Sequence, residues 1–512
     1  MGNKADLSGN DFLEYWEQDP ETAVVALYLS SFGNPRRFAR VVRRITMDKP
    51  VVAVKSGRTA AGERAASSRT GALLAASDVT VDALFAHAGV LRAETVGEMF
   101  DVAGLLAHQP LPRGDRVAVL TNAGDPGTLC ADACEAAGLR VGPPSAATRA
   151  RLAEGLAAEA STGNPVNMIA SATADQYERS LRILLADDAV DAVVTIFVRP
   201  LAARAAEVAR AIAAAAEGAD RPVLAVWLGA DVPTAEDTGA VPSFTTPEYA
   251  VRALAHAVRH ASRRAAPPDP PFEAPDADIA TAATIVAAGQ GWLRPGDVER
   301  LLGCWGISLV PSRFVASAEA AGRAAEELGG AVALKGVVDR SDAGAVRLRL
   351  SGSTAVTRAA REMAAQLQEA GTPIEGFQVQ PMLPSGTKLT LGAVADPAFG
   401  PLVACGAGGV AVELLGDVQV RLAPLGPREA GDMLRGLKSF PLLDGYRGRP
   451  RAELGSLGDL LMRVGAMAVT HPAIAELDLS PVIASPAGAL VVEARVRLDA
   501  PGPSPAFPSV NA

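Results

Sequence analysis

The sequence is poor in the features that mark several common protein classes. It has four cysteines in 512 residues. Cys130 and Cys134 could share a helix face, Cys304 and Cys405 stand alone, and no second close pair or nearby histidine completes a zinc set. Small buried thiols in a reducing cytoplasm are expected. No stretch of about 18 uncharged apolar residues occurs, so no membrane span is expected. The alanine-rich segment from Ala202 to Glu217 carries charges and reads as a soluble helix. The polar start Met1-Gly2-Asn3-Lys4 has no signal-peptide core. Gly2 does not open a myristoylation signal, because Asp6 stands where Ser or Thr is needed. Basic residues are not in excess: the formal net charge is -9, which argues against a nucleic-acid partner. Arginine outnumbers lysine, and alanine, glycine and proline are abundant, a bias that points to a high-GC bacterial genome.

The length predicts three or four domains at roughly 100–200 residues each. The first half alternates apolar runs with helical stretches. The run Val24 to Leu29 shows no alternation and reads as a strand buried on both faces. A helix over Pro35 to Ile45 follows, then a strand over Pro50 to Val54. The pattern restarts near residue 113, with strands at Arg116–Thr121, Ala192–Phe197 and Pro222–Trp227. Strand–helix–strand succession predicts parallel sheets covered by helices. Two flavodoxin-like α/β domains are expected in tandem, over 1–112 and 113–261. Residues 262–276 are dense in proline and predict an extended linker. The texture then changes: a helix over Asp297 to Trp305, a strand over Ser308 to Val310, and alternating segments at Ala345–Leu350 and Phe377–Gln380. Mixed helices and antiparallel strands around a Gly-rich centre predict an α+β nucleotide-binding domain over 277–498. A Pro/Ser-rich tail, expected to be disordered, occupies 499–512. His256 and His260 at i, i+4 are expected on a solvated helix face, and Asp187-Asp188 in an exposed turn.

Two loops in the first half are candidates for phosphate. One follows the strand at 50–54 and includes Ser67, Ser68, Thr70 and Gly71. The other, Thr121-Asn122-Ala123-Gly124-Asp125-Pro126-Gly127, follows a strand directly. Such loops ahead of helices can turn backbone N–H groups toward an anion, and an ordinary capped turn reads the same way. Asp125 places an acid where an anion would approach.

Met1 through Leu74 resembles the succinyl-CoA-synthetase-like part of the NDP-forming acyl-CoA synthetases. The resemblance rests on Gly2-Asn3-Lys4-Ala5-Asp6, Leu29-Ser30-Ser31-Phe32-Gly33-Asn34-Pro35 and Val52-Ala53-Val54-Lys55-Ser56-Gly57-Arg58. It implies a histidine that carries a phosphoryl group, but Arg69 stands at that place. A guanidinium stays protonated and has no lone pair for attack. Arg69 can bind a phosphate bidentately but cannot carry one. Gly163-Asn164-Pro165-Val166-Asn167 resembles a family segment that ends in an acid, here Asn167.

The part beyond the linker resembles an ATP-grasp domain, and the resemblance supplies the roles that follow. Lys335, in Val332-Ala333-Leu334-Lys335, would contact nucleotide phosphates. Val338-Asp339-Arg340-Ser341-Asp342 holds Asp339 where the family has a second histidine. Gln380 and Met382 would border the adenine, with Lys388 where a Glu is usual. Gly408, Gly409 and Glu413 belong to the Gly-rich centre. Ser480, in Glu476-Leu477-Asp478-Leu479-Ser480-Pro481, and Glu493 occupy metal-ligand positions.

The resemblance implies an ADP-forming acid–thiol ligase of the acetate–CoA type. ATP or ADP with Mg²⁺, and CoA or acyl-CoA, are its expected ligands. The changes at Arg69 and Asp339 predict a degenerate phosphohistidine relay and leave no confident catalytic residue. The alternative is a non-catalytic nucleotide- or acyl-CoA-binding regulatory module, like the synthetase-like region of some protein acetyltransferases. The family's first, Rossmann-like CoA-binding domain is expected from a separate chain or to have been lost. A homo- or hetero-oligomer in the cytoplasm, without membrane or nucleic-acid partners, completes the expectation.

Overall fold

The computed structural model describes residues 7–56, 78–199, 205–229, 232–267, 269–338, 346–371, 374–408 and 416–499. The chain divides into two compact units after residue 268.

The first unit opens with α1 (Gly9–Gln18), β1 (Val25–Leu29), α2 (Pro35–Ile45), β2 (Val51–Lys55), α3 (Asp78–Ala88), β3 (Leu91–Arg92) and α4 (Val96–His108). Helix α2 starts where Asn34 accepts the N–H of Arg37 and Pro35 occupies the first turn, a favourable pairing of cap and proline. The three strands lie in the order β1-β2-β3, all parallel. A second parallel sheet follows: β4 (Val117–Thr121), α5 (Gly124–Ala136), α6 (Ala146–Ala153), β5 (Val166–Asn167), α7 (Ala174–Leu185), β6 (Ala192–Val198), α8 (Ala205–Ala216), β7 (Val223–Leu228), β8 (Ser243–Phe244) and α9 (Pro247–Ala265). Its order is β5-β4-β6-β7-β8.

Alternation divides each central strand between two layers. Val117, Val119, Val194 and Ile196 pack with α4, α5 and α9. Ala118, Leu120, Val193 and Phe197 pack against α7 and α8. The first of these cores also takes in Val52, Val54, Leu91 and Met99, so one hydrophobic layer serves both sheets. Strand β5 is too short to satisfy all of β4. Asn164 takes its place: its Oδ1 accepts Val119 N–H at 2.9 Å, and its Nδ2 donates to the carbonyls of Val117 and Gly142 at 2.8 Å.

The second unit holds α10 (Ile279–Ala288), β9 (Gly291–Trp292), α11 (Pro295–Cys304), β10 (Arg313–Val315), α12 (Ala318–Leu328), β11 (Ala331–Val338), β12 (Val346–Ser351) and α13 (Ser353–Glu369). It continues with β13 (Ile374–Pro381), β14 (Thr387–Asp396), β15 (Gly400–Ala407), β16 (Val418–Leu422), α14 (Pro427–Arg435), α15 (Leu454–Thr470), β17 (Ile474–Ser485), β18 (Gly488–Val491) and β19 (Ala494–Leu498). A small antiparallel sheet, β10-β13-β11-β12, packs on α12 and α13. A larger one, β16-β15-β14-β17-β19-β9 with β18 paired to β17, packs on α10, α11, α14 and α15.

Several expectations need correction. The run at Val24–Leu29 forms β1, but its burial alternates and Tyr28 is 63% exposed, because β1 lies at the edge of its sheet. Ser308–Val310 forms no strand; Leu309 makes a single bridge to Val491. Residues 262–265 of the expected linker belong to α9, since the first proline is Pro267. Beyond it, the Asp269 carboxylate accepts the N–H groups of Arg428 and Glu429 at 3.0 Å and so caps α14. Asp187 is buried, accepting the N–H groups of Ser145 and Ala189, so only Asp188 is exposed. His256 and His260 are buried because α9 packs in the core that serves both sheets. His256 lies 3.2 Å from Glu98, and Arg259 donates to its other nitrogen at 2.9 Å.

Neither ring nitrogen of His260 has a hydrogen-bond partner. Burial lowers its pKa, and Arg264 and Arg263 add to the effect. The neutral form is therefore favoured in the fold, and the unfolded chain takes up the proton first on acidification. Stability from this group is present above the ordinary histidine value of about 6.5 and falls as pH drops below it. A His260→Leu variant should show a flatter loss of stability between about pH 7 and 5 in urea titrations. An unchanged slope would contradict this role.

Candidate functional site

In the second unit, β17 alternates between two faces. Leu477 and Leu479 enter the core. Glu476, Asp478 and Ser480 point to the other face by the period of two. Strand β14 pairs alongside, matching Gly392 with Asp478. The Ser480 hydroxyl meets that of Thr390 at 3.0 Å, and its backbone N–H donates to the Glu493 carbonyl at 3.1 Å. The two candidate metal ligands are thus joined through the main chain.

The small sheet brings Lys335 to the same place. Its Nζ lies 2.6 Å from both carboxylate oxygens of Glu493. The two side chains are about one-third exposed, at 30% and 39%. A pair this open to water is worth on the order of 1 kcal/mol or less. Incoming charged groups can therefore replace either partner at little cost. Burial raises the Asp478 carboxyl above its ordinary range; Arg495 opposes this, and Glu476 and Glu493 reinforce it.

The remaining expected residues have distinct placements. Gln380 donates through Nε2 to the Val492 carbonyl at 3.1 Å, so it steadies the segment that carries Glu493. The Met382 N–H donates to Ala331 at 2.9 Å and extends the pairing of β13 with β11. The N–H of Gly408 donates to Lys388 at 2.8 Å. Lys388 itself is exposed. Gly409, Glu413 and Asp339 lie outside the described residues, as do Ser67, Ser68, Arg69, Thr70 and Gly71.

In the first unit, the loop after β4 sits where the sheet order reverses between β4 and β6, a usual ligand crevice in open parallel sheets. Asn122 closes it by exchanging two 2.8 Å hydrogen bonds with Val198. Gly124 begins α5, whose cap position, Ala123, has no side-chain acceptor. Gly127 is buried one turn on, where a β-carbon would meet Thr121 and Pro165 at 3.0 and 3.1 Å, so it serves helix packing. Asp125 is exposed in the first turn. Nearby, Ile169 holds φ at 66°, a strained value for a β-branched residue. Such strain often marks functional loops.

Sequence reasoning missed Asp478, Thr390 and Ile169. The period-two run Glu476, Asp478, Ser480 was the available signal for the first. Nothing in the sequence announced Ile169.

Three family models match the chain in order: a succinyl-CoA ligase like flavodoxin domain at residues 1–106, a Ligase-CoA domain at 117–259 and an ATP-grasp domain at 284–498. The acetate–CoA ligase [ADP-forming] I of Archaeoglobus fulgidus is 34% identical over 97% of this chain and 73% of its own length. The chain belongs to the ADP-forming acetate–CoA ligase family. It has the family's two flavodoxin-like parallel sheets followed by an ATP-grasp domain. In some of these ligases the parts are separate chains. The alpha subunit of Pyrococcus furiosus ligase I is 32% identical over 50% of this chain and 56% of its own length, and the beta subunit is 31% identical over 43% and 99%. A solved acetyl-coenzyme A synthetase 1 of Ca. Korarchaeum cryptofilum, in complex with phosphate and ADP, is 30% identical. The match covers 51% of this chain and 58% of that one, with a TM-score of 0.48.

A β-carbon at Gly408 would lie 2.8 Å from the Lys388 carbonyl carbon and 2.9 Å from the Leu389 nitrogen. Both atoms belong to one peptide bond of β14, and backbone offers no cheap relief. Gly408→Ala should cost about 1–3 kcal/mol in chemical denaturation of the second unit. A wild-type transition midpoint would contradict this packing.

Proposed function

We propose that this ligase-family chain binds a magnesium nucleotide in its ATP-grasp domain and no longer passes phosphate through histidine. The observation that carries the first part is the convergence of Lys335, Glu493 and Ser480. On this reading the Lys335 ammonium serves the nucleotide phosphates. Glu493, with the Ser480 hydroxyl, offers oxygen donors to the metal. Among the described residues no group of three or more His, Cys, Asp or Glu side chains could hold a metal ion. Mg²⁺ commonly takes one or two protein carboxylates and fills its shell with phosphates and water, so the donor set fits. Bound metal would neutralise phosphate charge. Gln380 positions the Glu493 segment, and the small sheet presents Lys335.

The second part rests on residue chemistry. Arg69 and Asp339 stand at the two positions where the family has histidines; a guanidinium has no lone pair to accept a phosphoryl group, and a carboxylate could carry one only as an acyl phosphate, not as the phosphoramidate that imidazole forms. Asn167 and Asp125 support the same reading, one lacking a carboxylate and the other adding a repelling charge. These changes also favour the second reading, a nucleotide- or acyl-CoA-binding regulatory module without turnover. The four free thiols favour a reducing compartment such as the cytoplasm.

Incubation with γ-labelled ATP and Mg²⁺, followed by acid and base treatment of the denatured protein, tests the loss of the relay. No base-stable, acid-labile label should remain on the chain. Retention of such label, abolished by a histidine substitution, would overturn the proposal.

A further inference from the structure

In the second unit a groove of about 730 Å³ lies between the last turns of α10, the turn after α15 and the end of β19. Its walls are largely apolar and include Val286, Ala287, Pro472, Ala473 and Leu498. Small-molecule sites commonly have this character, with roughly 300–1,000 Å³ of space and a few placed polar groups. The groove is separate from the nucleotide residues. Leu498 comes five residues after Glu493, a span of roughly 17 Å in extended chain.

A buried polar side chain faces this space. His471 lines the groove and is only 5% exposed. Trp305, buried beside it, donates its indole N–H to His471 Nε2 at 3.3 Å, with the two rings edge to face at 5.6 Å. An indole nitrogen can only donate, so Nε2 is the bare nitrogen and Nδ1 carries the proton. Burial lowers the His471 pKa, which keeps the ring neutral near neutral pH. Nδ1 makes no hydrogen bond among the described residues, yet it is not sealed from solvent as both nitrogens of His260 are. The fold thus holds one N–H donor, oriented by Trp305, at the floor of an apolar groove.

The charges around the groove narrow the ligand class. Among the described residues no Lys or Arg lines it, and the carboxylate on its rim, Asp499, is already paired with Arg497 at 2.6 Å. An anion would find no cation there and would approach Asp499. A cation would meet the Nδ1 proton. We infer that the groove binds an uncharged, largely apolar molecule through one acceptor oxygen, that of a ketone, ester or amide, which takes the His471 Nδ1–H. A molecule of the same shape without the oxygen would cover the donor and leave it unpaired, a loss on the order of tenfold in affinity or more.

The probe is acetophenone, compared with ethylbenzene, which has a similar apolar body and no acceptor. The full chain has five histidines, few enough for isotope-labelled histidine to report the His471 ring by NMR. In the absence of nucleotide, acetophenone should shift the His471 Nδ1 resonance saturably, with a Kd in the millimolar range expected of so small a ligand. Ethylbenzene should bind at least about tenfold more weakly. Ala287→Leu, at an exposed position of α10, should fill the groove and weaken acetophenone binding at least about tenfold while the melting curve is kept. His471→Phe should remove the preference for acetophenone over ethylbenzene. No shift by about 10 mM acetophenone, equal affinity for the two probes, or wild-type affinity in Ala287→Leu would overturn the proposal. So would a free chain in which Nδ1 is the bare nitrogen, or a change in its His471 resonances when residues 500–512 are deleted, which would make the chain's own tail the occupant.

Discussion

The ion pair between Lys335 and Glu493 is the contact on which the proposed nucleotide site depends. It joins the small sheet, through β11, to the segment between β18 and β19 of the large one. Around it the seam is closed by fixed bonds: Gln380 to Val492, Val310 to Val491, and Ser480 to Glu493. Those bonds hold the geometry, while the ion pair adds little stability because both partners remain wet. Opposite charges are thus held ready where a polyanion and its cation could replace them.

The first unit is organised by a different constraint. Two parallel sheets share one apolar layer built by α4 and α9. Burying α9 forces its polar residues to find partners inside. Glu98, His256 and Arg259 do so as a chain. Hydrogen bonding to His256 holds the Glu98 carboxyl below its usual range against the opposing effect of burial. His260 finds none, and a buried polar group without a partner costs stability. The same sharing of helices leaves the outer face of β1 without a covering layer.

Much of the fold was legible because periodicity and punctuation agree. Helix α2 begins and ends where Pro35 and Ile45 predict, and the buried strands β2, β4, β6 and β7 lie within a residue or two of their apolar runs. The errors share a cause: local pattern does not reveal lateral position. An apolar run such as Val25–Leu29 looks the same at an edge as in the middle of a sheet. The pair His256 and His260 looks like a surface feature until α9 is seen to be covered by α4. In the site, Lys335, Ser480 and Glu493 were identified through family resemblance, and their placement together is a tertiary fact. Gln380 and Gly127 are conspicuous in their motifs, yet the structure uses them for support and packing. Asp478 escaped notice because its meaning comes from sharing a strand face with Ser480.

The central claim is that Lys335 and Glu493 form a metal-dependent nucleotide site. Calorimetric titration of the full chain with ADP, with and without Mg²⁺, tests it most directly. The account predicts saturable binding with Mg²⁺, weakened at least about tenfold without the metal or by Lys335→Met. Undetectable ADP binding with Mg²⁺ present, or equal affinity in Lys335→Met, would contradict it.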